Sequence, residues 1–206
     1  MAIDIENPGA DEAALKAALG NLVGMALIDS GTISSPVEYL DLDLPSGYEL
    51  FILRFINVMF DTADIMAFGF SADAGATFFE NAAAYKHELI HATGNTAMDN
   101  VPYSDVIGSL QSANLTITNP ELNAVDFEIV IRPGSASRSA TLFSRCRYNS
   151  SATEASLVEA SVVMTQESAR VNLIRFFPYG DGVADPPTSE ETITSGSYFL
   201  YGVPTP

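Results

Sequence analysis

YELFILRFINVMF, residues 48 to 60, is the stretch on which the fold of this chain turns. Phe51, Leu53 and Phe55 recur at a period of two, and Val58 and Phe60 resume the pattern after a shift. A period of two puts alternate side chains on one face of a strand, and a run this long and apolar is expected at the centre of a sheet. Pro45, Ser46 and Gly47 supply a turn just before it. Upstream of that turn, Val37, Tyr39, Asp41 and Asp43 alternate with Glu38, Leu40, Leu42 and Leu44, the pattern of a half-buried strand.

The same period begins at about residue 26 and recurs toward the C-terminus. Strands are expected at Ile65 to Ser71, Tyr85 to Ala92, Asn114 to Thr118, Ala124 to Ile131 and Ser139 to Tyr148. Three more are expected at Ser156 to Met164, Val171 to Pro178 and Thr192 to Val203. Turn clusters at Asp73 to Gly75, Pro133 to Ser135, Asn149 to Ser151 and Gly180 to Pro187 separate them. About ten strands with turns at short intervals predict a mainly β, jelly-roll-like antiparallel sandwich over residues 26–206.

The exception is GADEAALKAALGNL, residues 9 to 22, where Asp11 and Glu12 suit the positive end of a helix and Leu15, Leu19 and Leu22 form a narrow apolar stripe. A helix this short is marginal by itself and must pack on something. Residues 1–25 are therefore expected to be an N-terminal arm for docking or oligomerisation.

Net charge is −17, from 26 acidic against 9 basic residues, and such a field repels phosphate backbones and anionic membrane surfaces. Nucleic acid is not an expected partner. No stretch has the roughly 18 uninterrupted apolar residues of a membrane span. The opening MAIDIENPGADE lacks the basic and apolar regions of a secretory signal, so synthesis in the cytoplasm is expected, with a carrier such as a virion for any delivery outside the cell. The single cysteine, Cys146, excludes an intrachain disulfide, and it is expected to be an inert, half-buried thiol between Arg145 and Arg147.

One string demands a choice. His87-Glu88-Leu89-Ile90-His91 matches the HExxH pattern, in which a helix brings two histidines to one zinc and the glutamate polarises the bound water. A third ligand is missing where Ala97 stands, and Glu121 follows Asn119-Pro120 with no helix to carry it. The same letters alternate as a strand, with Tyr85, His87, Leu89 and His91 against Lys86, Glu88, Ile90 and Ala92. A β context on both sides favours the strand, leaving the histidines as polar positions rather than ligands.

Other constellations are weaker. Asp41 with Asp43 is the kind of carboxylate pair that an acidic surface produces by chance. Asp181 and Asp185 sit in a loop with calcium-compatible carbonyls, where a solvated turn is the simpler reading. Tyr48, Tyr85, Tyr103, Tyr179 and Tyr198 are candidates for a sugar-binding face, with burial expected for most. No catalytic, cofactor-binding or metal-ligating residue is assigned, and no enzyme activity is expected.

Three stretches together resemble a recurrent type of tailed-bacteriophage and prophage virion protein. They are Gly31 to Leu44 running into Tyr48 to Asn57, then FSADAGATF at 70 to 78, then SGSYFLYGV at 195 to 203. That type has a strand reading roughly LDIPL before a long apolar strand, then an S-x-D-x-G-x-T turn, then a closing strand resembling GTFRLYGI. Ala74 stands here where the pattern often has glycine, and Phe199 at a variable place. The resemblance implies a jelly-roll-like structural protein of the virion, in capsid decoration, a head spike, or a tail or fibre component. Other virion proteins are then the expected partners; a cyclic trimer or dimer of sister copies, the trimer favoured, is a natural way to gain the interface area, and host surface polysaccharide is a further candidate. A host-glycan adhesin and a zinc metallopeptidase using His87, Glu88 and His91 are the rival readings.

Overall fold

In a computed structural model of the chain, residues 24–61, 65–79, 85–93, 99–103, 108–109, 124–151, 154–165, 169–179 and 192–205 are described. The expected N-terminal helix, the strand at Asn114 to Thr118 and the Gly180 to Pro187 loop lie outside them. The described residues form twelve strands: β1 Ala26–Ile33, β2 Leu40–Asp43, β3 Tyr48–Phe60, β4 Ile65–Ser71, β5 Tyr85–Thr93 and β6 Asp99–Tyr103. They continue with β7 Gly108–Ser109, β8 Val125–Arg132, β9 Thr141–Ser151, β10 Glu154–Met164, β11 Leu173–Tyr179 and β12 Ile193–Pro204. All strand pairings are antiparallel.

Two sheets result, an eight-stranded one in the order β1-β12-β3-β8-β9-β10-β5-β6 and a four-stranded one in the order β2-β11-β4-β7. Setting aside β5, β6, β9 and β10, the chain alternates between sheets from β1 to β4 and again from β7 to β12. The remaining orders, β1-β12-β3-β8 over β2-β11-β4-β7, are those of a jelly roll, two Greek keys wrapped together. The meander β8-β9-β10 and the hairpin β5-β6 then widen one sheet on the far side of β8.

The core lies where the alternation puts it. Phe51, Leu53, Phe55, Val58 and Phe60 of β3 are all buried, and so are Leu42 and Leu44 at β2. Phe55 joins the sheets: its ring meets Phe127 of β8 at 6.2 Å and Phe176 of β11, in the opposite sheet, at 5.1 Å, both edge-on. The shift in the β3 pattern is a bulge. Asn57 takes a left-handed φ of 53°, and pairing with both β12 and β8 slips at this point. Its N–H donates to Asp126 Oδ1 at 2.8 Å, so the backbone group released by the bulge keeps a partner.

Several expectations change. The strand expected at Val37 to Leu44 covers only Leu40–Asp43, with Val37 in an isolated bridge to Ile193. Asn149 to Ser151, expected as a turn, continues β9. Strands β6 and β7 carry too little alternation to be foreseen, being five and two residues long. Cys146 is wholly buried rather than half-buried, because β9 is an interior strand of the wide sheet.

Candidate functional site

The HELIH segment is strand. Tyr85 to Thr93 forms β5, paired over its length with β10 and from His87 to His91 with β6. Four residues span about 13 Å along a strand, against about 6 Å for one helical turn, so the backbone does not offer the spacing on which HExxH zinc ligation depends. His87 and His91 occupy register positions opposite Val162 and Val158 of β10, which are buried. Tyr85 shows what β5 contributes instead. Its hydroxyl donates to the Phe79 carbonyl at 2.6 Å and accepts from the Phe70 N–H at 3.0 Å, and its ring meets Phe68 at 5.4 Å. A residue read as a sugar-facing candidate thus fastens the wide sheet to β4 of the small one.

The candidate surface is the outer face of the eight-stranded sheet. Register aligns Leu27, Tyr201, Ile52, Val130 and Phe143 in one row across β1, β12, β3, β8 and β9. At about 4.8 Å per strand the row is about 19 Å long. Leu27 is 55% exposed and Phe143 43%, and Val163 on β10 adds another exposed apolar side chain beyond the row. Single exposed hydrophobics are ordinary, but a contiguous apolar row is the mark of an interaction surface.

A charged row runs beside it. Arg54, Glu128, Arg145 and Glu159 are successive register partners on β3, β8, β9 and β10. Arg145 Nε donates to Glu159 Oε1 at 2.8 Å, and Arg54 approaches Glu128 at 4.0 Å. These pairs are open to water and contribute little to stability, so their effect is to fix sign and register at the edge of the apolar row. A depression of about 330 Å³ opens between this row and the β3 bulge, lined by Arg54, Ile56, Asp126, Glu128, Arg145 and Arg147.

Two further features hold loops in place. In the Ser71 to Thr77 turn, Asp73 accepts from Ser71 Oγ at 2.7 Å, Thr77 N–H at 2.9 Å and Thr77 Oγ1 at 2.6 Å. Three donors favour the charged carboxylate, and its pKa is lowered to about 2, first through the Thr77 hydroxyl. Ala74 has φ 57°, which explains why a glycine suits that place. On the outer face of the small sheet, Arg175 makes a two-point pair with Asp41 at 2.7 and 2.8 Å. Its guanidinium carbon also lies 4.0 Å from the centre of the Tyr39 ring and 4.1 Å from that of Phe78. Asp41 is therefore engaged with Arg175, while Asp43, exposed on the same face two residues along β2, stands opposite Leu173 in the register.

Sequence reasoning did not pick out Leu27, Phe143 or the arginines of the wide sheet as a surface. Five of the nine basic residues, Arg54, Lys86, Arg132, Arg145 and Arg147, sit on strands of that sheet, all of them exposed. The signal present in the sequence was an acidic chain that spends its few arginines inside strand segments. Comparison with known proteins returns no match among family models, curated proteins or solved structures.

Proposed function

We propose that this chain is a non-enzymatic structural protein of a tailed-phage particle, in capsid decoration, a head spike or a tail-associated position, and that it acts by covering surface. The observation that carries the reading is the apolar row Leu27-Tyr201-Ile52-Val130-Phe143 on an open sheet face, edged by the Arg54-Glu128-Arg145-Glu159 row. Eight strands at about 4.8 Å and about seven residues at 3.3 Å give a face of about 34 by 23 Å, roughly 800 Å². That is the contribution of one partner to a standard protein interface. An apolar centre with a charged edge is also the anatomy such interfaces share.

In this reading the face is covered by another virion subunit or a sister copy, and the N-terminal segment, residues 1–25, reinforces the attachment. The jelly-roll order of the eight principal strands supports it, because that fold leaves broad sheet faces free for neighbours. The test is incorporation. The wild-type protein should co-purify with particles and be located on their surface by cryo-EM, whereas Phe143→Glu should fold normally and be lost from particles. Normal incorporation of a folded Phe143→Glu variant would sink the role given to this face.

A further inference from the structure

A second concavity lies at the end of the wide sheet where β8 turns into β9, about 920 Å³ in volume, and three of the chain's nine basic residues line it: Arg132, Arg138 and Arg170. Convergence of this kind is unexpected in a chain with 26 acidic residues. Of the four arginines elsewhere, three are matched to carboxylates among the described residues, Arg54 to Glu128, Arg145 to Glu159 and Arg175 to Asp41, with Arg147 alone on the open face of β9. Among the described residues, none of these three cleft arginines has a carboxylate within ion-pair distance. Glu49 stands exposed at the edge.

The cleft is built rather than incidental. Ser135 and Arg138 exchange backbone hydrogen bonds at 2.8 and 3.2 Å, closing a two-residue hairpin, and the Val171 N–H ties that loop down through the Pro133 carbonyl at 2.8 Å. Gly134 has φ 74°, and a Cβ there would stand 2.8 Å from the Arg138 carbonyl and the Ala140 nitrogen, so the backbone packs too closely for any other residue. Arg170 is oriented by two carbonyls, Pro45 at 2.8 Å and Tyr48 at 3.0 Å. Partial burial draws its guanidinium below the usual arginine range. Ser135, Ser137, Ser139, Thr141 and Thr205 complete the lining with hydroxyls.

We infer that this cleft is a binding site for a carboxylate-bearing sugar. Arginine forks match carboxylates in two-point geometry, the hydroxyls match the remaining polar groups of a pyranose, and the volume falls within the about 300 to 1,000 Å³ of small-ligand sites. An acidic peptide would also satisfy the arginines, but it offers one backbone N–H and one C=O per residue, whereas a pyranose presents several hydroxyls around a single ring to the five lining hydroxyls. The site is independent of where the protein sits on a particle. It differs from the tyrosine face expected of an adhesin in that charge, not ring stacking, selects the ligand.

The experiment is calorimetric titration of the full chain with a galacturonate trimer, a hyaluronan tetrasaccharide and a sialic acid trimer, against a neutral maltotriose control. At least one charged oligosaccharide should bind, and maltotriose should not. Arg132→Gln and Arg138→Gln, both exposed and free of structural hydrogen bonds from their side chains among the described residues, should each weaken that binding about tenfold with unchanged thermal stability. Glu49→Gln should strengthen it by removing the one opposing charge. Failure of all three oligosaccharides at millimolar concentration overturns the assignment. So does binding that survives both arginine variants, or equal binding of polyglutamate or inorganic sulfate, which would make the cleft a general anion site.

Discussion

Gly196 of β12 lies opposite Asn57 and Val58 of β3, one residue against two, where Ser195 pairs with Met59 and Ser197 with Ile56. Asn57 is left-handed at φ 53° and Gly196 is at φ 147°; a Cβ on Gly196 would stand 3.0 Å from Val58 Cγ2 and 3.1 Å from Val58 Cα. Gly196→Ala should therefore destabilise the protein by about 2 kcal/mol, from backbone strain and displacement of a core valine. Asn57→Gly should stay within about 0.5 kcal/mol, since glycine accepts the same φ and keeps the N–H that Asp126 receives. Urea unfolding of both variants reads the difference.

The Asp73 turn is held together by an acid-sensitive carboxylate. Its folded pKa of about 2 lies below the ordinary 3.8, so its contribution is complete above pH 3.8 and is lost as pH falls through about 2. Asp73→Asn should lower thermal stability at neutral pH and flatten the acid limb over that interval. Thermal unfolding followed from pH 6 to pH 2, in both proteins, shows whether the two curves converge at the acid end.

Ser144 is fully buried on β9, and among the described residues its hydroxyl has no hydrogen-bond partner. An unmatched buried hydroxyl is destabilising, so Ser144→Ala should raise stability by about 1 kcal/mol. A decrease of similar size in denaturant unfolding would mean that the hydroxyl has a partner after all.

At the small sheet, Arg175 gains from Asp41 and from the Tyr39 and Phe78 rings together. Arg175→Lys keeps the charge but loses the planar two-point fit and should cost about 1 kcal/mol. A double-mutant cycle with Asp41→Asn should give a coupling of about 0.5 to 1 kcal/mol, kept small by solvent around both side chains.

Strand geometry at HELIH has a chemical consequence that a metal assay can read. Purified protein should carry zinc well below one equivalent, and Glu88→Gln should change neither its metal content nor its stability by more than about 0.5 kcal/mol. Stoichiometric zinc that disappears in His87→Ala together with peptidase activity would restore the metallopeptidase.

Much of this architecture was present in the sequence because the signals were local. Alternation through Phe51, Leu53 and Phe55, its interruption at Asn57 and its return at Val58 and Phe60 depend only on neighbouring residues, and each proved to be buried or bulged accordingly. The Asp73 turn was equally legible, since a short acceptor two residues after Ser71 and four before Thr77 needs no distant help. HELIH was decided less by its own letters, which fit helix and strand alike, than by the β pattern on either side.

Tertiary structure alone decided the surfaces. Along β9, Leu142, Ser144 and Cys146 alternate with Phe143, Arg145 and Arg147, and composition would bury the phenylalanine before the serine. Instead Ser144 is buried and Phe143 exposed, because β9 pairs with β8 and β10 in a register that turns the cysteine row inward. Arg132 and Arg170 stand 38 positions apart in the chain, and only the antiparallel return of β8 into β9, with Val171 tied to Pro133, brings them to one cleft. A period of two assigns residues to faces. Which face meets water, and which distant residues meet one another, depends on pairings that local pattern does not encode.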